Sequence, residues 1–241
     1  MQTQYELDSL SHAKNYQKWM FESVKPYLGK RILELGSGIG NLSVWLPVNE
    51  LLVLSEVEQH FIQHLQELPS LKNEKTKIIQ MDLSKSMADQ VKQFNVDTIV
   101  SFNVMEHIEN DFQSFQDQIR VLKESKAVGD KSLVVFAPAL NFAFGSLDRI
   151  FLHFRRYDAG MVESIFKRID PKLKLETHYF NVLTLPAWII QGKVFKKKSI
   201  GAISIKVLEY IIPLWKPIDW FLTRVLRLPF GQSLVFVVKV D

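Results

Sequence analysis

The chain has 241 residues and no cysteine. That absence excludes disulfides, thiolate nucleophiles and cysteine-based metal sites, and it is compatible with a reducing compartment. Charge of one sign is also scarce. The formal net charge is +4, too small an excess to argue for nucleic acid, and none is expected as a partner. No run of about 18 apolar residues occurs, so no transmembrane helix is expected. The opening stretch MQTQYELDSL has neither the basic start nor the apolar centre of a secretory signal. Internal repeats and low-complexity segments are missing too. The expectation is a cytoplasmic protein with at most a peripheral membrane contact. What remains, 47% hydrophobic and 23% charged residues, is an ordinary enzyme-like balance with enough chain for one α/β domain.

Apolar runs and helical stripes alternate along the first half. Residues 9–28 read as a helix with Tyr16, Trp19, Met20 and Val24 on one stripe, closed by Gly29. RILEL (31–35) reads as a strand, NLSVWLP (41–47) as a helix, LLVLSE (51–56) as a strand and EQHFIQHLQEL (58–68) as a helix. KIIQMD (77–82) and VDTIVSFN (96–103) are further strands, DFQSFQDQIRVLKES (111–125) a helix, and KSLVVFAP (131–138) a strand stopped by Pro138. This alternation predicts an α/β fold with a doubly wound, mainly parallel sheet. Residues 147–169 read as helical. KLKLETHYF (172–180) alternates, with Leu173, Leu175, Thr177 and Tyr179 on one face and Lys172, Lys174, Glu176 and His178 on the other. SLVFVVKV (233–240) closes the sheet. The chain is therefore expected to be a single domain, 1–241, with an N-terminal helical cap (1–30), a helical region at 139–171 and an apolar, basic insertion at 181–232. That insertion is long, because hairpin connections usually take about 2–5 residues.

RILELGSGIGN places Gly36, Gly38 and Gly40 directly after a strand. Glycines there let the backbone turn tightly and approach a ligand, and a following helix would offer free N–H groups. Glu56 ends the second strand about 20 residues further on, where a carboxylate accepts hydrogen bonds from ribose hydroxyls. So far a nicotinamide enzyme and a methyl-donor enzyme fit equally. The glycine spacing is GxGxG rather than GxGxxG, and Glu34 stands ahead of it. Asp82 ends the third strand, where an adenine amino group needs an acceptor. The fourth strand ends in Asn103, followed by Glu106 and His107.

On these motifs the chain resembles the class I S-adenosylmethionine-dependent methyltransferases. ILELGSGIGN is similar to their motif I, SEVE to the acidic ribose motif, MDL to the adenine motif and FNVMEHI to the strand-four motif. The resemblance covers about residues 10–140. It implies a Rossmann-like doubly wound sheet, mainly parallel with a reversed last strand. It also implies S-adenosylmethionine as cofactor, S-adenosylhomocysteine as product, and cofactor contacts from Tyr16, Glu34, Gly36, Ser37, Gly38, Gly40, Glu56, Asp82, Leu83 and Asn103. In finer detail the chain resembles a bacterial subgroup associated with glycosyltransferases and cell-surface glycan or lipid pathways. The subgroup's LEHI, GHxRRY and RYFNxLGxPxW patterns appear here as MEHI (105–108), LHFRRY (152–157) and HYFNVLTLPAW (178–188). Leu152 replaces the glycine before the histidine, and Thr184 the glycine after Leu183. The implied reaction is O-methylation of a glycan, a lipid-linked molecule or another small acceptor.

Methyl transfer from a sulfonium is an in-line displacement, so positioning supplies much of the rate. An oxygen acceptor is helped by a base, and His107 follows the fourth strand at the edge where ligands bind. His153 and Tyr157 are the other candidates to take the proton. If 147–169 is helical, Arg149, His153 and Arg156/Tyr157 share one face. Arg149, Arg155 and Arg156 could then hold an acidic acceptor with their forked donors. The competing reading is an internal ion-pair network with Asp148, Asp158 or Glu163. No metal-ligand set is expected. In the insertion, Trp188, Trp215 and Trp220 stand with Lys193, Lys196, Lys197 and Lys198. This combination suits an anionic membrane surface, a lid or an oligomer face. Two other functions compete: a nicotinamide oxidoreductase, disfavoured because no Tyr-x-x-x-Lys pair occurs, and a non-catalytic partner of a glycosyltransferase that binds cofactor or membrane.

Overall fold

A computed structural model describes residues 11–197, 199 and 202–240. Lys198 and the first ten residues of the expected cap lie outside the described residues. Seven strands form one sheet: β1 (Arg31–Leu35), β2 (Leu51–Glu56), β3 (Thr76–Gln80), β4 (Thr98–Phe102), β5 (Lys131–Pro138), β6 (Lys174–Phe180) and β7 (Ser233–Val240). Their order is β3-β2-β1-β4-β5-β7-β6, and β7 runs antiparallel to both neighbours. This is the Rossmann-like arrangement of the class I methyltransferase fold, mainly parallel with the last strand reversed. β1, β2 and β4 are near-continuous apolar runs because helices cover both sheet faces.

Helices α1 (Lys14–Val24) and α2 (Gln59–Glu67) pack on one face through Trp19, Met20, Val24 and Leu65. On the other face lie α3 (Ala88–Val91), α4 (Asp111–Glu124) and α6 (Ala159–Ile169), which bury Val91, Phe115, Ile119, Val162 and Phe166. Helix α5 (Ser146–Ile150) leads into α6. The insertion holds α7 (Thr184–Ile189) and the long α8 (Ala202–Trp220), which contains Pro213 and Pro217.

Three local expectations are corrected. NLSVWLP does not form a helix; only a 3-10 turn, Ser43–Trp45, appears. Pro47 drives Leu46 into the extended region, and too few residues separate it from Gly40 to nucleate a helix. The loop after β1 therefore offers its own N–H groups rather than a helix end. The stretch 147–169 is not one helix either. It breaks after Ile150, runs irregularly through Leu152–Asp158 and resumes at Ala159. Leu152 takes φ 60°, a backbone that favours glycine, at the position where the subgroup pattern has one. Finally, His178 is buried rather than on an open polar face of β6. The insertion covers it, and burial with Arg224 nearby lowers its pKa to about 3.

The insertion also completes the N-terminus of α1. Ala13 at the N-cap offers no side-chain cap, and Glu209 of α8 supplies one from across the fold. Its carboxylate accepts from Asn15 N at 2.9 Å and Tyr16 N at 2.8 Å. At the other end of α8, Asp219 accepts from Asn181 N at 3.0 Å and Val182 N at 2.7 Å, fixing the chain where β6 ends.

Candidate functional site

The glycine loop turns through three left-handed residues: Gly36 (φ 64°), Gly38 (φ 53°) and Gly40 (φ 84°). A Cβ on Gly36 would lie 2.7 Å from the side chain of Val104, so the loops after β1 and β4 touch there. Glu34, at the end of β1, is buried and accepts from the hydroxyls of Ser37 and Ser43. Burial pushes its pKa up to about 7, although both serines oppose the shift. Glu56 reaches back to the same loop. One of its oxygens accepts from Gly38 N at 2.7 Å, the other from Val57 N and Glu58 N at 2.8 and 3.1 Å. Glu56 and the glycine loop thus share a hydrogen bond.

Asp82 lies beyond β3, which ends at Gln80, and folds onto its own turn. Its Oδ1 accepts from Ser84 N at 2.9 Å and Ser84 Oγ at 2.6 Å. These bonds hold its pKa below the usual carboxylate range. Leu83 and His107 line one cleft of about 520 Å³, together with Gln113 and Phe154. Asn103 takes φ 52° and donates its N–H to Phe136 O at 2.8 Å, turning the chain out of β4 toward that cleft. Tyr16 sits elsewhere along the edge. Its ring is 6.2 Å from those of both Trp19 and Phe180. Phe180 ends β6, four strand spacings or roughly 19 Å from β1. Burial raises the Tyr16 pKa to about 12, so the phenol stays protonated.

The two segments singled out as MEHI and LHFRRY are stitched together. Phe154 N donates to Glu106 O at 2.8 Å, and Arg155 Nη2 to Glu109 O at 2.5 Å. The single Tyr157 Oη proton is shared between Met105 O at 3.0 Å and Asp111 Oδ2 at 2.9 Å. Tyr157 is 0% exposed, and burial beside Asp111 pushes its pKa far up. It therefore braces the site from inside and does not reach the cleft. Arg156 is likewise 0% exposed: its Nε pairs with Asp148 Oδ1 at 2.7 Å, its Nη1 donates to Ala139 O at 2.8 Å, and its guanidinium lies over the Trp188 ring at 4.8 Å. Arg155 pairs with Asp111, whereas Arg149 is exposed beside the Phe144 ring. The shared arginine face is replaced by an internal ion pair with Asp148. Of the other acids named with it, Asp158 accepts from Asn141 and Glu163 pairs with Lys167.

His107 and His153 come together, their ring centroids 4.8 Å apart and edge-on. Burial, then the neighbouring His153, lower the His107 pKa to about 4 despite a hydrogen bond to the Leu152 backbone, so the ring is neutral at pH 7. Sequence reasoning offered Asp148 as one of three equivalent ion-pair partners rather than as the hub, and it missed Glu106 as a site residue. Asp148 accepts from Gly145 N (2.8 Å), His153 Nδ1 (3.2 Å), Arg156 Nε (2.7 Å) and Trp188 Nε1 (3.3 Å). Glu106 is turned inward by the 3-10 turn Met105–His107 and is 0% exposed. Its place beside His107 in MEHI was the available signal.

No family model and no curated protein matches the chain. Solved structures do. The chain is similar to the methyltransferase domain of a bacterial Hen1, CtHen1-C, with TM-score 0.57 and 14% identity over 95% of this chain and 98% of that one. A SAM-dependent methyltransferase from Archaeoglobus fulgidus matches with TM-score 0.52 and 14% identity, over 92% and 94% of the two chains. The plantazolicin methyltransferase BpumL, solved with SAH, matches with TM-score 0.53 and 14% identity, over 97% and 84%. At these identities the likeness is one of fold, and the fold is that of the class I methyltransferases.

Proposed function

We propose that this protein is an S-adenosylmethionine-dependent methyltransferase that O-methylates a glycan, a lipid-linked molecule or another small acceptor. The observation that carries the reading is the bond from Gly38 N to Glu56, which joins a loop of three left-handed glycines to a carboxylate at the end of the neighbouring strand. Those residues suit the cofactor: the loop brings bare backbone to a ligand, and Glu56 keeps lone pairs for a ribose diol. Glu34, Ser37 and Gly40 complete the cradle. Leu83 and the backbone around Asp82 border the adenine end, and Asn103 turns the chain beneath it. S-adenosylmethionine supplies an electrophilic methyl group on a sulfonium when bound there. The acceptor oxygen meets the histidine side of the cleft, where His107 is neutral and carries a lone pair at pH 7. Tyr16 closes the β6 side of the edge.

Glu56→Ala should weaken S-adenosylmethionine binding at least tenfold with the fold intact, because hydrogen bonds to a charged group contribute roughly 1.5–3 kcal/mol each before compensation. Calorimetry with S-adenosylmethionine and with NAD checks this. Unchanged donor affinity in a folded variant, or tighter binding of NAD, would overturn the assignment. Transfer of label from the donor into glycan or lipid fractions then identifies the acceptor class.

The insertion supports a peripheral membrane contact. Among the described residues no helix is long and apolar enough to cross a membrane. Yet Val207, Tyr210, Leu214, Ile218, Phe221 and Val225 are all exposed, Tyr210 by 84% and Leu214 by 74%. Their spacing of three and four residues makes one outward stripe along α8 and the turn after it. Lys193, Lys196 and Lys197 follow α7, and a lysine near an anionic surface contributes about 1 kcal/mol. Co-sedimentation with anionic vesicles should be strong at low salt and reduced by Lys196→Gln with Lys197→Gln, with donor affinity unchanged. A wild-type protein left in the supernatant at low salt would instead assign the stripe to a protein partner or a second copy.

A further inference from the structure

His153 presents an unusual buried acceptor. Its side chain is 4% exposed, and its Nδ1 faces Asp148 Oδ1 at 3.2 Å. Asp148 also accepts from Arg156 Nε at 2.7 Å and from Gly145 N at 2.8 Å. A carboxylate used in this way acts as an acceptor, so Nδ1 of His153 donates to it and Nε2 is the ring atom left to bind a ligand. That Nε2 is buried, has no hydrogen-bond partner among the described residues, and lies 4.0 Å from Glu106 Oε1. The imidazole Nε2 and a Glu106 carboxyl oxygen face each other across a gap longer than a hydrogen bond. A gap of that length between a ring nitrogen and a carboxyl oxygen is too long for a hydrogen bond and suits a cation held between them. The edge of His107 closes the third side: one ligand-capable atom from each of Glu106, His107 and His153 lies within 4.8 Å of the others.

We propose that Glu106, His107 and His153 bind a divalent first-row transition-metal ion, with Asp148 as the carboxylate that orients His153. Two imidazoles and one carboxylate select ions of the zinc, manganese or cobalt class over magnesium or calcium, which prefer all-oxygen shells. Metal–ligand bonds of about 2.1 Å bring such atoms to about 3 Å from one another, so the side chains draw together by roughly an ångström on binding. The charge is suitable. Two carboxyl groups, those of Glu106 and Asp148, stand against the single Arg156 guanidinium. Three protein ligands leave coordination positions open. His107 and Phe154 line the 520 Å³ cleft, so those positions adjoin the space where an acceptor would lie. The role, though not the binding, rests on the methyltransferase reading: an acceptor hydroxyl on the ion would release its proton to water more readily than a free one. His107 then acts as a ligand rather than as a free base.

The test uses the full chain, stripped with a chelator and titrated with Co²⁺ in the absence of any methyl donor. The expected result is one ion per chain, with visible absorption bands showing nitrogen ligation. His153→Gln and His107→Gln should each weaken binding by more than ~100-fold, and Asp148→Asn by ~10–100-fold, the usual effect of removing an orienting carboxylate. His64→Gln, on α2 away from the cluster, should bind like wild type. If His153→Gln fails to fold, His107→Gln carries the comparison. A wild type without nitrogen-ligated Co²⁺, or with an affinity that these variants share, overturns the proposal. Glu56→Ala separates the two readings: it should lose donor affinity and keep Co²⁺. Retained donor affinity there would sink the cofactor assignment while leaving the metal site standing.

Discussion

Asp148→Ala should destabilise the protein by about 3–5 kcal/mol, the usual cost of removing one partner of a buried ion pair. The reason is what it strands. Arg156 is 0% exposed and keeps its charge, and its Nη2 already lacks a hydrogen-bond partner among the described residues. Without the carboxylate, the guanidinium keeps the Ala139 carbonyl, the face of Trp188 and the attraction of Glu106. Trp188 Nε1, Gly145 N and His153 Nδ1 lose their acceptor in the same step. Because an unpaired buried charge is the main term, Asp148→Leu combined with Arg156→Met should recover much of the loss. Urea unfolding of the two single variants and the double variant measures this. A single-variant cost below about 1 kcal/mol would mean that Arg156 reaches water on local opening, and that the pair contributes no more than a surface salt bridge.

Most of the frame was legible because its signals are local. The apolar runs at 31–35, 51–56, 98–102 and 131–138 are strands buried on both faces, and no other element suits them. Gly36, Gly38 and Gly40 do take left-handed backbone, and Glu56 does meet their loop. Legibility failed where a local rule was outvoted. Periodicity alone favoured a helix through DRIFLHFRRYD. Hydrogen bonds from Phe154, Arg155 and Tyr157 to residues 105–111, and from Tyr157 N to Pro138 O, hold that segment extended instead. The three acids offered as partners for the arginines were equivalent on paper; only the turn after α5 decides for Asp148. Glu209 capping Tyr16 across 193 positions has no sequence signature at all. The lysines after α7 attract attention as charges, but the apolar stripe of α8 becomes visible only when its inner face is known to be spent on α1. Ile212 there is 2% exposed while Leu214 is 74% exposed.

The contribution of Glu34 to stability should fall as pH rises from about 4.5 to about 7, and Glu34→Gln should remove that contribution, while the buried His107 and His178 add an opposite trend common to both proteins. Glu34 is 2% exposed, and burial raises its pKa from 4.5 to about 7. The sign follows from which state loses the proton first. Below 4.5 the carboxyl is protonated in both states and contributes no pH dependence. Between 4.5 and 7 the unfolded chain ionises while the folded one keeps its proton, so unfolding releases a proton and is favoured by rising pH. Above 7 both are ionised and the penalty is constant. At 1.36 kcal/mol per pKa unit the whole effect is about 3 kcal/mol, an order-of-magnitude figure. Glutamine does not titrate, and its amide oxygen can still accept from Ser37 and Ser43. The difference between wild-type and Glu34→Gln stability should therefore shift by about 3 kcal/mol in favour of the variant between pH 4 and pH 8. Subtracting the two proteins cancels every other titrating group. Urea unfolding across that range reads the difference directly. A flat difference would mean that the folded carboxyl ionises near its unfolded value, with the Ser37 and Ser43 hydroxyls offsetting its burial in full.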